Sequence, residues 1–345
     1  MSRMVKRFFL LMVVLAAVAG AAGWVVYSRV NASYRGFTGS EQFVDIPNGT
    51  GAGTIGTMLA EAGVVRDPTT FRAALWLSGR ARDLKAGEYR FDREVTPFEV
   101  IDRLARGDVY KRLITFREGL IIPEMAQVFE ERGFGTAADF ARAAQNASLI
   151  ADLDPEARSL EGYLFPETYA LPRGTSADEL VAQMVGLFKR LYTDTLRADA
   201  AAAGLTTRQV MTLASLVEKE TARREERPLV AAVYRNRLKA GMGMQADPTV
   251  IYALQQAGKY DGNLSRDDLQ FDSPYNTYRY SGLPPGPIAA PGLASIEAVL
   301  HPAPVAHLYF VSRNDGSHVF ADTLADHNRN VQEWQVRYFR ERRNR

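Results

Sequence analysis

The first apolar run constrains this chain more than any other feature. Phe8 to Tyr27 (FFLLMVVLAAVAGAAGWVVY) is 20 residues without a charge, and a helix of that length spans the ~30 Å hydrocarbon core of a bilayer. Arg3, Lys6 and Arg7 precede it. Basic flanks stay cytoplasmic. Residues 1–7 are therefore expected to be a cytoplasmic tail, residues 8–27 a single-pass anchor in the inner membrane, and the remainder extracytoplasmic. The triplets Ala17-Val18-Ala19 and Ala19-Gly20-Ala21 resemble signal-peptide cleavage sites. The apolar run nevertheless continues through Trp24-Val25-Val26-Tyr27, with aromatics at the far interface, so the anchor is expected to be retained.

The polar, glycine-containing stretch 28–42 reads as a linker. Beyond it the chain repeats itself. Strand-like Phe43-Val44-Asp45-Ile46 leads to Gly49 and a helix ending near Gly63; strand-like Leu113-Ile114-Thr115-Phe116 leads to Gly119 and a helix ending at Gly133. Both glycine pairs are separated by 14 positions. Gly63 and Gly133 suit the left-handed backbone that closes a helix. Each unit enters a second helix, containing Phe71 or Phe140. A strand, Gly87 to Phe91, and a helix, Pro97 to Arg106, lie between them. Residues 43–145 thus read as one or two small strand–helix modules. Gly51-Ala52-Gly53-Thr54-Ile55-Gly56 satisfies G-x-G-x-x-G, but its repeat partner lacks the glycines and no second parallel strand follows, which excludes a dinucleotide site.

Residues 150–345 change character. Ala177 to Ala203 reads as one long helix, followed by helices at Arg208 to Thr221, Arg227 to Ala240 and Pro248 to Gln256. Ser273 to Pro291 is a long Pro/Gly/Tyr loop of the kind that usually carries function. LYFVS and SHVF, joined by Asn314-Asp315-Gly316, read as a hairpin, and a last helix starts near Leu324. The expected fold class is α+β: a transmembrane helix, the strand–helix modules, then a mainly helical domain. Net charge is only +2, which gives no electrostatic footprint for nucleic acid. The basic run Arg337 to Arg345 reads as a frayed, solvated helix end. With no cysteine in the chain, thiol catalysis and Cys-ligated metal are excluded, and the four histidines form no ligand pattern. No cofactor or metal is expected.

Chemistry could sit on the helix TRQVMTLASLVEKET. Val210, Leu213, Ala214 and Val217 share its core face. Glu218 lies near the edge of that face, roughly 80° from Val210 at helical spacing, and Glu220 lies on the other flank. A carboxyl at such a boundary is partly desolvated and its pKa rises, as a general acid requires. Both glutamates could equally be solvated helix charges, and spacing alone cannot choose between them. Asp247 before Pro248 reads as a helix N-cap, a turn that would also aim Gln245 and Asp247 toward a cleft. Tyr275, Asn276 and the flanking tyrosines offer flat faces and amides of the kind sugars bind, or simply a self-packed loop.

Taken together, SLVEKE (215–220), RPLVAAVYRNRL (227–238), MGMQADPTVIY (242–252), SPYNTY with GLPPGPIAAPG (273–292), DGSHVFADTLADHNRN (315–330) and LEGYLFPETY (160–169) resemble the YceG/MltG family of endolytic murein transglycosylases over nearly the whole chain. The resemblance implies that residues 43–145 are LysM-like, that residues 150–345 are catalytic, and that Glu218 is the single acid/base. It implies lytic cleavage of nascent peptidoglycan with 1,6-anhydro-muramic ends and no cofactor. Glycan contacts are implied at Gln245, Asp247, Tyr275, Asn276, Glu161 and Tyr163, and partners among membrane-embedded synthases such as penicillin-binding proteins. Ala290, Met244 and Ala246 depart from the family's usual Asn, Leu and Ser or Thr. Two other readings stay open: a hydrolase of the same glycan, with Asp247 or Glu220 positioning water, and a non-catalytic wall-binding scaffold.

Overall fold

The computed structural model describes residues 3–338 and 340; the rest of the basic run at the carboxyl end lies outside the described residues. The chain divides into two compact units. The first comprises residues 1–113 with 170–174, the second 114–169 with 175–345.

The first unit opens with helix α1 (Arg3–Asn31). Its stretch from Lys6 to Asn31 is long and apolar enough to cross a membrane, and none of the hydropathic window is buried by protein. Next come β1 (Gln42–Ile46), α2 (Ala52–Glu61), α3 (Pro68–Ser78), β2 (Gly87–Phe91) and α4 (Pro97–Arg106). The two strands pair antiparallel, with Val44 opposite Tyr89 and Gln42 opposite Phe91. Alternation turns Val44 and Ile46 inward, onto Leu59, Phe71, Ile101 and Leu104. Local signals place the helices. Asp67 accepts from the Thr70 N–H at 2.8 Å with Pro68 in the first turn of α3, and Thr96 with Glu99 closes a capping box on α4. Gly51 is merely the N-cap of α2, which has no side-chain cap. The helix α1 continues through Asn31, past the expected end of the anchor, and Val30 is buried in this unit's core.

The order strand–helix–helix–strand then recurs: β3 (Lys111–Thr115), α5 (Ile122–Glu131), α6 (Ala137–Ala143) and, after an insertion, β4 (Thr168–Pro172), which is hydrogen-bonded to β3. The repeated glycines adopt matching left-handed angles, φ 80° at Gly49 and Gly119 and 69° at Gly63 and Gly133.

The remainder of the second unit is mainly helical: α7 (Ala177–Leu191), α8 (Asp194–Ala202), α9 (Thr207–Glu220), α10 (Arg227–Lys239), α11 (Asp247–Gln256), α12 (Leu293–Leu300) and α13 (Leu324–Val331), with the hairpin β5 (Tyr309–Ser312) and β6 (His318–Ala321). The long helix expected over Ala177 to Ala203 is two helices. Tyr192 leaves the helical region and the Thr193 hydroxyl caps α8. Helix α9 is the axis of the unit. It is buried on every side from Val210 to Val217, not on one face. Its polar members are satisfied within the fold, with the Thr212 hydroxyl donating to the Arg208 carbonyl and Ser215 to that of Thr212.

Candidate active site

Helix α9 leaves the core at its last turn, where its two glutamates diverge. The Glu218 side chain is 5% exposed and pairs with Arg227, equally buried, at 2.8 Å. Its other oxygen accepts from the Gly292 N–H at 3.0 Å and the Ser295 hydroxyl at 2.8 Å. Gly292 is the N-cap of α12, so Glu218 places a carboxylate at the positive end of that helix. Arg227 also reaches Glu118 at 3.2 Å. Burial raises the Glu218 carboxyl overall, reinforced by Glu118, although the Gly292 N–H, the Ser295 hydroxyl and Arg227 pull against it. Glu218 borders an open depression of about 650 Å³ lined also by Glu118, Glu167, Arg224 and Arg227. Lys219 and Arg224, nearer in sequence, are not its ion-pair partners.

Glu220 is held differently. Among the described residues its carboxyl accepts one hydrogen bond, from the Tyr234 hydroxyl of α10, at 3.2 Å. Burial raises its pKa most; His318, the Tyr234 hydroxyl and Arg237 act against this, and the nearby Asp247 carboxylate reinforces it. The carboxyl is thus desolvated without a guanidinium clamped to it.

The other expected residues separate into two groups. Gln245 and Asp247 are exposed on the turn entering α11. Gln245 has φ 48°, a left-handed backbone uncommon for a side chain of this kind and concentrated at functional turns. Asp247 is the first helical residue and not the N-cap, which is Ala246. Its carboxylate is free to accept from the Tyr278 hydroxyl at 2.6 Å. This turn and Tyr278 stand beside Glu220, since Asp247 and Tyr278 both interact with it electrostatically.

Glu161, Tyr163 and Tyr275 gather elsewhere, around a depression of about 510 Å³ that Arg158 and Arg208 also line. Tyr163 is 1% exposed, and its hydroxyl donates to Asp154 at 2.6 Å. Glu161 is enclosed, accepting from the Ile122 N–H and the Tyr252 hydroxyl. Tyr275 tilts against Tyr252 with centroids 4.9 Å apart. Asn276 is wholly buried and holds its own loop: it donates to the carbonyls of Leu269 and Phe271 and accepts from the Tyr278 N–H. Of the SPYNTY run it is Tyr278, not Asn276, that borders Glu220. The departures at Met244, Ala246 and Ala290 are buried; Ala290 is held by backbone bonds to Gly119 and Leu120, 2.8 Å each.

Sequence reasoning passed over Arg227, Ser295 and Tyr234, and gave Tyr278 and His318 no particular partner. Each lies inside or beside a motif read as a block, but none carries a local signal of its partner.

The sequence matches the YceG-like family over residues 44–333. It is 32% identical over 302 residues to the endolytic murein transglycosylase of Bacillus subtilis, covering 83% of this chain and 82% of that protein. It is 31% identical over 365 residues to the endolytic murein transglycosylase of Streptococcus pneumoniae, covering 95% of this chain and 65% of that longer protein. The crystal structure of a YceG-like protein from Listeria monocytogenes superposes with a TM-score of 0.58 at 28% identity, over 84% of this chain and 98% of that one. With a family match that runs through both units and across the glutamate-bearing helix, the chain belongs to the YceG-like family.

Proposed function

We propose that this protein is a membrane-anchored endolytic transglycosylase of peptidoglycan. It cuts the MurNAc–GlcNAc bond of nascent strands without water, leaving 1,6-anhydroMurNAc ends and so terminating strand elongation. The relatives' activity supports the substrate, and the apolar helix supports a single-pass anchor. The basic residues before that helix favour a cytoplasmic amino terminus in the inner membrane, with the body of the protein outside. The two strand–helix–helix–strand repeats within residues 43–145 and 168–172 favour LysM-like modules, followed by the catalytic domain over most of residues 150–345. Synthases of the penicillin-binding class are the natural partners of an enzyme that acts on growing strands.

One observation carries the choice of acid/base. Glu220 is a desolvated carboxyl with one neutral hydrogen-bond donor, beside the exposed turn of Gln245 and Asp247. A carboxyl raised by burial is protonated nearer neutral pH, as an acid must be. Glu220 gives its proton to the glycosidic oxygen as the C1–O bond breaks. The sugar's own C6 hydroxyl oxygen then bonds to C1, and its proton returns to Glu220. No water is consumed and no second carboxylate is needed, unlike in ordinary glycosidases. This favours Glu220 over Glu218, the residue the family resemblance pointed to, because both oxygens of Glu218 are already engaged. Gln245, Asp247 and Tyr278 are the proposed glycan contacts nearest the reaction, with Tyr275 more distant.

Glu218 remains the second reading, favoured by its position on the open depression beside Arg224. Mass spectrometry of glycan digested by Glu218→Gln and Glu220→Gln decides between them. Glu220→Gln should fold and yield no anhydro-ended products, while Glu218→Gln should lose stability first and keep measurable turnover per folded molecule. A folded, inactive Glu218→Gln beside an active Glu220→Gln would restore the role to Glu218. Reducing-ended products would establish hydrolysis, and no products from intact strands would leave the scaffold reading.

A further inference from the structure

Two residues after Glu220, the chain turns through Thr221 and Ala222 toward Glu226, and there a second acid and a histidine are joined. The Glu226 carboxylate accepts from the His318 backbone N–H at 2.9 Å with one oxygen and bonds the His318 ring Nδ1 at 2.7 Å with the other. The second oxygen also accepts from the Thr221 hydroxyl at 3.3 Å. Both side chains of the pair are 10% exposed. A carboxylate can only accept, so Nδ1 carries the proton and the imidazole is fixed in one orientation. Burial opposes the charge on Glu226, but the donors from His318 outweigh it and hold the carboxyl below its usual range.

The ring is fixed by packing as well. Phe310 of β5 meets the His318 ring edge to face at 5.4 Å and the Tyr234 ring at 6.0 Å, and Tyr234 is the residue that donates to Glu220. The hairpin therefore delivers an imidazole, through one layer of aromatic packing, to the end of the helix that carries Glu220. A surface histidine would need neither the buried carboxylate nor the double anchoring of ring and backbone.

We propose that Glu226 and His318 are positioning residues for the cleavage. Glu226 orients the imidazole beside Glu220, and His318 sets how readily Glu220 releases and recovers its proton. The inference rests on Glu220 as the acid/base. Its chemistry follows the Brønsted relation: a cationic neighbour makes Glu220 a stronger acid and stabilises the carboxylate formed as the glycosidic bond breaks. The other groups facing Glu220 are Tyr234 and Arg237 from α10, Asp247 from α11 and, through Asp247, Tyr278 from the loop. Arg237 supplies charge that cannot titrate, since a guanidinium stays protonated.

The test compares kcat and KM against pH for the full-length protein in detergent, its His318→Gln variant and its Glu226→Gln variant, with thermal melting of each. Glutamine at 318 keeps a donor for Glu226 and removes the charge; glutamine at 226 keeps an acceptor and does the same to its side of the pair. His318→Gln is expected to melt near the parent, and Glu226→Gln, which trades one of two acceptor oxygens for an amide N–H, to melt lower while still folding. Both should lower the kcat plateau about tenfold and move its alkaline limb about one pH unit upward, with KM little changed. The signs follow from one cause: without a charged ring held beside it, through loss of the ring in His318→Gln or of the carboxylate that holds it in Glu226→Gln, Glu220 is a weaker acid that stays protonated to higher pH. A plateau that falls with the limb in place would mean a merely structural pair and would overturn the proposal, as would unchanged profiles in both variants. If Glu220→Gln itself keeps full activity and the limb, it is the assignment of Glu220 that has failed, and this result is read separately from the other two.

Discussion

Three glutamates in this fold meet burial with different partners, and their behaviour should differ accordingly. Glu161 is buried inside the second unit with backbone N–H groups and the Tyr252 hydroxyl as its donors and no cation among them, and burial pushes its pKa up to about 8. The unfolded chain would ionise it near its ordinary value of about 4.3. Between these values the folded state binds more protons than the unfolded one, so stability falls as pH rises through this window. Below about pH 4.3 the effect vanishes because both states are protonated. Urea denaturation from pH 4 to 9 should show this loss, amounting to a few kcal/mol, and Glu161→Gln should flatten it. A variant as pH-dependent as the parent would place the titration elsewhere. Glu218, by contrast, neutralises Arg227, and both side chains are 5% exposed. Glu218→Gln leaves that guanidinium with Glu118 as its remaining anionic partner, and breaking a buried pair from one side costs about 3–5 kcal/mol. A drop in denaturation midpoint of that size, with turnover surviving in the folded fraction, is expected. For Glu220→Gln, which removes no ion pair, the expected stability change is within about 1 kcal/mol.

At the scale of elements, the loop 273–291 works because one residue ties it inward. Asn276→Ala leaves the Leu269 and Phe271 carbonyls and the Tyr278 N–H without their partner. Each buried unpaired group costs about 1–3 kcal/mol, although solvent reaching a loosened loop will reduce the sum. Since the same loop presents Tyr278 to Asp247, the expected result is a lower melting temperature together with a raised KM for glycan. A raised KM at unchanged melting would mean that Asn276 touches substrate itself. The loop also shows what a sequence can and cannot disclose. That 273–291 would be irregular was plain from its prolines and glycines, and the two glycine pairs announced the repeat because a positive φ has a residue signature. The division of labour inside SPYNTY was not visible, because nothing local says that Asn276 turns in while Tyr278 turns out. The choice between Glu218 and Glu220 was not legible for the same reason. Helical spacing gave their angles on α9, but their partners arrive from Arg227, Ser295 and Tyr234, on elements brought together only by folding. The break between α7 and α8 was hidden because no glycine or proline marks it; Thr193 caps a helix there without any break in apolar periodicity.

At the scale of the molecule, the apolar N-terminal segment and the first unit share one helix. α1 runs from the apolar segment to Asn31 without interruption, and Val30, 1% exposed, is part of the core that includes Leu59, Phe71 and Leu104. Tyr34 then bridges to Val95 through backbone bonds of 3.0 Å and 3.2 Å. The stretch after the anchor is therefore structured at both ends, and the position at which a soluble fragment is cut should matter. A fragment starting at Ser28 retains Val30 but leaves it on a helical stub with few residues of its own to hold it. One starting at Ala32 loses the side chain altogether and opens a gap in the core. Burying a valine contributes about 1.5–3 kcal/mol, so the shorter fragment should melt several degrees lower for a unit of this size. Val30→Ala in a fragment that begins well upstream, in detergent, separates the side chain's contribution from fraying of the helix stub. If that substitution lowers the melting temperature of the first unit as much as the truncation does, the last turn of the anchor helix is a working part of the core; if both fragments melt alike, the helix end is only laid against the unit.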